Sequence, residues 1–176
     1  MSILKRFVSY YKPYRGLFYL DCVCAVLLCV IDLSFPQILR WLPEGLFSGS
    51  AESIMAALRW LFPALLIWYL LRALCQFYVT SFGHIMGTRM ETDMRQDLFD
   101  KYMSLSYSYY DRNNTGEMMS RLVSDLFDIS ELAHHGPENL LMCSIKILGS
   151  LILLLWVNVP MTLLLLAVTL VLVVFT

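Results

Sequence analysis

Three ionisable residues, Asp32, Arg72 and Lys146, stand inside otherwise apolar runs of this 176-residue chain. A charge in lipid is costly unless it faces protein or a wet cavity, so their chemistry is charge pairing or recognition of an anionic group. Counting helical rise back from Trp41 puts Asp32 about 14 Å below the outer interface, and counting back from Trp156 puts Lys146 about 15 Å below it; the two can pair at mid-membrane. Arg72, counted from Met55, falls roughly 25 Å down, close to the inner leaflet. Two readings of Arg72 stand. Either it faces a cytoplasm-connected cavity and meets an anionic group of a solute, or it snorkels to the inner headgroups while Asp32 and Lys146 neutralise each other.

Other reactive side chains point to little bond-making chemistry. His134 and His135 stand beside Gly136-Pro137 and invite a metal or proton-relay role, but adjacent helical positions point about 100° apart, a poor chelate, so ordinary interfacial histidines are expected. Cys22, Cys24, Cys29, Cys75 and Cys143 all fall in apolar stretches, where thiols behave as small buried hydrophobes. No disulfide framework, zinc site or other metal site is expected. No paired carboxylates or nucleophile constellation supports a membrane enzyme, so no catalytic residue is assigned.

The elements that must position these residues are helices in a membrane. Hydrophobic residues make up 59% of the chain and charged residues 15%, too greasy for an ordinary soluble domain. With 13 basic and 14 acidic side chains, no global attraction to nucleic acid is implied. Lys5, Arg6, Lys12 and Arg15 precede the first apolar run, while Pro43 to Ser53 carries Glu44 and Glu52 and no basic residue, so the positive-inside rule makes the amino terminus cytoplasmic. The first run is too long for a cleavable signal peptide and lacks a cleavage pattern.

Along the chain, residues 2–14 are basic and aromatic and suit an elbow helix in the headgroup layer. A first span covers about 17–42, bent at Pro36, stopped by Pro43 and marked at the interface by Trp41. A second span enters near Ile54, with Trp60 at the interface, and runs on as an amphipathic arm to about residue 107. Its Ile85, Met86, Met90, Met94, Leu98, Phe99, Tyr102, Met103 and Leu105 form one greasy face at three- and four-residue steps. From near Ser53 to Leu105 this helix is about 78 Å long against a hydrocarbon core of about 30 Å, so more than a third stands outside the bilayer. The chain turns at Ser108 to Gly116, where Thr115 is the expected N-cap of the next helix. A second arm follows, with Met118, Met119, Leu122, Val123, Leu126, Ile129, Leu132 and Ala133 on its apolar side and Glu117–Arg121 and Arg121–Asp125 pairs at four-residue spacing. It continues, loosened at Gly136-Pro137, into a third span of about 139–157 ending at Trp156. A fourth apolar run, 161–176, rises about 24 Å and is expected to be a truncated span.

Read in order, Met94-Arg95-Gln96-Asp97-Leu98-Phe99, Leu105-Ser106, Tyr109-Tyr110-Asp111, Thr115-Gly116-Glu117 and Ser120-Arg121-Leu122 with Asp125 resemble the first cytoplasmic loop of ATP-binding-cassette (ABC) exporters. The elbow, Asp32-Leu33-Ser34-Phe35-Pro36 and Arg72 also look like that family, and the resemblance covers nearly the whole chain. It implies an all-α, polytopic transmembrane domain of the type-1 exporter family, N-terminal part only, joined elsewhere to a nucleotide-binding domain and working as a homo- or heterodimer in a bacterial inner or plasma membrane. By position, the turn is then the coupling helix that docks on the nucleotide-binding domain: Ser108, Tyr109, Tyr110, Asp111, Arg112, Asn113, Asn114, Thr115 and Gly116. Tyr109 and Tyr110 are the expected aromatic anchors, with Asp111 to Asn114 as a polar rim. Asp32, Arg72 and Lys146 become residues of a cargo cavity, for a lipid-like, hydrophobic drug-like or peptide cargo.

These residues contain no Gly-x-x-x-x-Gly-Lys-Ser/Thr phosphate loop, so ATP and Mg2+ are implied for the missing domain and no cofactor is expected on this chain. Two alternatives stand beside the exporter: a non-enzymatic scaffold of four helices, and an ion-driven secondary carrier. Long arms with a patterned turn favour the exporter, because carriers concentrate broken helices at mid-bilayer.

Overall fold

The computed structural model describes the backbone of residues 3–46 and 51–175, with side chains at 5–40, 52 and 54–175. The side chains of Trp41, Pro43, Glu44 and Ser53, used above to mark the outer end of the first span, lie outside the described residues. In chain order the elements are α1 (Ile3–Ser9), α2 (Arg15–Leu46), α3 (Ala51–Met103), α4 (Tyr107–Arg112), α5 (Thr115–Ser120), a π-helical turn (Arg121–Asp125), α6 (Leu126–Val157) and α7 (Val159–Phe175). Every described element is helical, and three stretches, Arg15–Arg40, Ile54–Met103 and Thr115–Val157, are long and apolar enough to cross a membrane.

One helix end departs from the expected one. α2 does not stop at Pro43 but runs to Leu46; a proline that costs a helix in water is tolerated in membrane helices, where neighbours re-satisfy the freed carbonyl. α3 is 53 residues long, about 80 Å, and passes through Pro63. After α6, Asn158 turns extended and caps α7: its side-chain oxygen accepts the Met161 amide at 3.1 Å and its carbonyl accepts the Thr162 hydroxyl at 2.7 Å.

α2 packs on α3 and α6, α3 packs on α6, and α7 leans on α6. Between apolar helices in lipid no hydrophobic force operates, and close packing of small residues takes its place. Ala25, Leu28 and Cys29 of α2 are accordingly buried, Leu28 against Cys75 and Val79 of α3 and Cys29 beside the Met142 carbonyl of α6, whereas Cys143 is exposed on α6 rather than buried. A Cβ on Gly83 would overlap the His134 ring, so only glycine lets α6 seat that imidazole against α3.

Beyond the spans, the arms enclose Met86, Met90 and Met94 of α3 with Leu126 and Ala133 of α6. Each of the buried methionines and Leu126 contributes about 1.5–3 kcal/mol over an exposed side chain. The amino-terminal aromatics Phe7, Tyr10, Tyr11, Tyr14 and Phe18 pack against this cluster from outside. The elbow is therefore strapped to the arms. Tyr10 donates to Asp97 at 2.7 Å, Tyr14 to Asp93 at 2.9 Å, and Tyr11 to the Ala133 carbonyl at 2.6 Å. Burial, helped by the facing carboxylates, raises the Tyr10 and Tyr14 phenols above their ordinary values, so both remain donors. The Tyr11 bond has a cause in the chain: Pro137 has no N–H, which leaves the carbonyl four residues earlier, Ala133, for the hydroxyl to fill.

The second arm's expected apolar face divides. Met118, Leu122, Leu126 and Ala133 are buried, while Met119, Val123, Ile129 and Leu132 are exposed. Residues 118, 122, 126, 130, 134 and 138 are all buried, a step of four. A regular helix drifts about 40° at each such step, and the wider π turn at 121–125 takes up part of that drift.

Candidate functional site

The chain reverses at the far end of α3. Ser104 closes the last turn by donating its amide to Asp100 and Lys101 carbonyls, Ser106 adopts extended backbone, and α4 begins at Tyr107, one residue before the expected turn. α4 ends at Arg112, where the Asn113 side chain donates to the Tyr109 carbonyl at 2.7 Å. Asn113 and Asn114 are extended, and the Asn114 side chain accepts the Gly116 amide at 2.9 Å. The N-cap of α5 is thus Asn114 and not Thr115, which is the first residue of the helix; an Asn oxygen reaches a nearby helix amide readily, and a β-branched Thr is free to enter the first turn.

Tyr109 and Tyr110 face inward. Both are half-buried against Tyr102, Met118 and Leu122, and Tyr110 donates to the Tyr102 carbonyl at 2.6 Å. They brace the two arms at their tip, because that is where α3 and α5 leave an apolar gap between them. The aromatic side chain that projects outward is Tyr107, 86% exposed, which sequence reasoning placed outside the turn. Around it Ser108, Asp111, Arg112, Asn113, Asn114, Thr115 and Gly116 are all exposed. Arg121 forms the expected pair with Glu117 at 2.6 Å.

A second brace crosses the arms about two turns farther back. Arg95 of α3, held by Glu91 four residues earlier, donates to the Leu122 carbonyl at 3.1 Å inside the π turn. Altered hydrogen bonding in a π turn leaves a carbonyl available to a side chain from outside. The sequence carries no mark of this contact, because Arg121 to Asp125 has the composition of an ordinary helix.

Within the spans, Asp32 of α2 binds two cations. Lys146 Nζ of α6 lies 2.8 Å from Oδ2, and Arg72 Nε of α3 lies 2.9 Å from Oδ1. The separate depths counted for Asp32 and Arg72 are corrected: the Arg72 guanidinium lies beside the Asp32 carboxylate, so the two are level. Measured from the true end of α2 at Leu46, Asp32 is about 21 Å along its helix, close to the Arg72 count. The cluster carries one negative and two positive charges. Beside it, Ile31, Phe35, Trp68 and Tyr69 complete a cavity of about 360 Å³ with Asp32 and Arg72, and the buried Trp68 Nε1 has no hydrogen-bond acceptor.

Comparison with known proteins agrees with this architecture. The family described as "ABC transporter transmembrane region" matches residues 18–176. The chain is 41% identical, over 92% of its length, to "Uncharacterized ABC transporter ATP-binding protein YwjA" of Bacillus subtilis (strain 168), covering 28% of that protein. It is 28% identical, over 92% of its length, to "ATP-dependent lipid A-core flippase" of Thiobacillus denitrificans (strain ATCC 25259 / T1), again covering 28% of it. It is also 24% identical, over 93% of its length, to "Putative multidrug export ATP-binding/permease protein YgaD" of Bacillus subtilis (strain 168), covering 29%. The chain spans less than a third of the length of these relatives. Long apolar helices that pack through small residues, arms braced at a shared tip, and a match over nearly all of the chain together make it a member of the ABC transporter transmembrane region family.

Proposed function

We propose that this chain is the leading part of the membrane domain of an ATP-driven exporter, with its amino terminus and tip in the cytoplasm, its tip docked on a nucleotide-binding domain, and a second transporter half as partner. The observation that carries this reading is the tip: helices tied by Tyr110 to Tyr102 and by Arg95 to Leu122, ended by a six-residue helix presenting Tyr107 and a row of exposed polar groups. An exposed aromatic within a polar rim is the composition of a docking anchor. Lys5, Arg6, Lys12 and Arg15 near the amino terminus fit a cytoplasmic side.

The action of this chain is mechanical. Closure of the two nucleotide-binding domains, powered by ATP with Mg2+, carries α4 with it, and the braced arms pass that displacement to the spans as inward/outward switching. Tyr107→Ala in the complete protein leaves the fold intact, because the side chain packs on nothing, and lowers cargo moved per ATP hydrolysed about tenfold. An unchanged ratio refutes the docking role.

The Asp32 cluster supports a cargo class. Two cations share one carboxylate, and an unpaired indole N–H lines the adjoining cavity, so the site favours an amphiphile with an anionic group. The name of the lipid A-core flippase relative fits that class. Arg72→Ala removes a charge-assisted contact of about 1.5–3 kcal/mol, so efflux of an anionic amphiphile falls by roughly ten- to a hundredfold while a neutral hydrophobic cargo is moved as before. Equal loss of both, or of neither, refutes the assignment.

A further inference from the structure

His84 of α3 meets His134 and His135 of α6 where the spans give way to the arms. The ring centroids of His84 lie 4.8 Å from His134 and 5.3 Å from His135, and those of His134 and His135 are 4.3 Å apart. One ring nitrogen from each residue can be chosen so that all lie within 4.8 Å of one another. The divergence of two adjacent histidines, which makes that pair a poor chelate alone, is filled by the third, from the facing helix.

His134 is 3% exposed, and its Nδ1 has no hydrogen-bond partner. An unpaired polar atom at that depth is costly, and the fold goes out of its way to put it there: Gly83 leaves the ring its space, and Gly87 lies against its Cβ. Two carboxylates flank the group, Glu138 Oε2 at 4.0 Å from His134 Nδ1 and Glu131 Oε2 at 3.5 Å from His135 Nε2. Carboxylates beside imidazoles are the usual outer partners of metal-bound histidines.

We infer that His84, His134 and His135 bind one divalent transition-metal ion, Zn2+ before others, through one imidazole nitrogen each, and so pin α3 to α6 at the foot of the spans. Neutral imidazole is the ligand form. Imidazole nitrogen suits zinc, copper and nickel, whereas Mg2+ and Ca2+ prefer all-oxygen sites. Tetrahedral zinc with Zn–N near 2.0–2.1 Å sets its nitrogens about 3.3 Å apart, so the rings close by roughly an ångström. A water completes the fourth position.

The test is calorimetric titration of Zn2+ into the complete, tag-free protein in lipid nanodiscs, beside His84→Gln and His135→Gln. Neither replaced side chain is buried, so both variants fold; circular dichroism and retained ATPase activity check this. The expected result is one saturable Zn2+ per copy with a micromolar or tighter Kd, weakened at least tenfold in each variant. A Zn2+-dependent, chelator-reversible rise in Tm, lost in both variants, accompanies it. Absence of saturable binding, or binding that either variant weakens less than tenfold, overturns the inference.

Discussion

Asp32 is a single carboxylate held by cations from two other helices, so the three members of the cluster are not equivalent. Loss of Lys146 or Arg72 leaves a neutral pair, whereas loss of Asp32 leaves two like charges facing each other with no counter-ion. Asp32→Asn is therefore expected to destabilise the protein by about 3 kcal/mol and Lys146→Met by less than about 1 kcal/mol, read as thermal unfolding in detergent or nanodiscs. Gly83→Ala belongs to the same scale: its methyl overlaps the His134 ring, and such overpacking costs about 1–3 kcal/mol, read as a lower Tm. The Asp32–Lys146 contact was legible because both residues could be counted from tryptophans at one interface. The Arg72 contact was not, because Asp32 was counted from Trp41 and came out about 14 Å deep against roughly 25 Å for Arg72, whereas α2 runs on through Pro43 to Leu46. His84 gave no signal, since a lone polar residue near a span end has no period and its partners are about fifty residues away.

Pro137 and Tyr11 show at the level of elements how a break in one helix is repaired from another. Tyr11→Phe leaves the Ala133 carbonyl without a donor and costs about 1–2 kcal/mol. Pro137→Ala restores a backbone N–H to that carbonyl, so the Tyr11→Phe cost largely vanishes in the double variant. Equal costs in both backgrounds, in a double-mutant cycle of thermal unfolding, contradict this account. Asn114→Ala removes the cap of α5 and costs about 1 kcal/mol, whereas Thr115→Ala has almost no effect. The long helices, their approximate limits and their inner methionine face were readable from three- and four-residue spacing. The π turn was not, because its residues carry ordinary helical propensities and only the four-residue burial step across α5 and α6 requires it. The site at the turn was legible as a polar interruption, but which tyrosine points outward depends on how α4 rolls onto the arms, and composition does not fix that roll.

Across the whole molecule, stiffness joins the parts: α3 extends about 80 Å, the elbow straps the arms together through three tyrosine hydroxyls, and two braces hold the tip. On the proposed reading, a displacement applied at α4 travels through these ties to the level of Asp32. The central claim is that this tip is gripped by a nucleotide-binding domain, and position 107 tests it most directly. With a photo-activated benzoylphenylalanine in place of Tyr107 in the complete protein, irradiation in membranes is predicted to yield a covalent link to the nucleotide-binding domain, located by mass spectrometry. Links confined to lipid or to the chain's own arms would contradict the account.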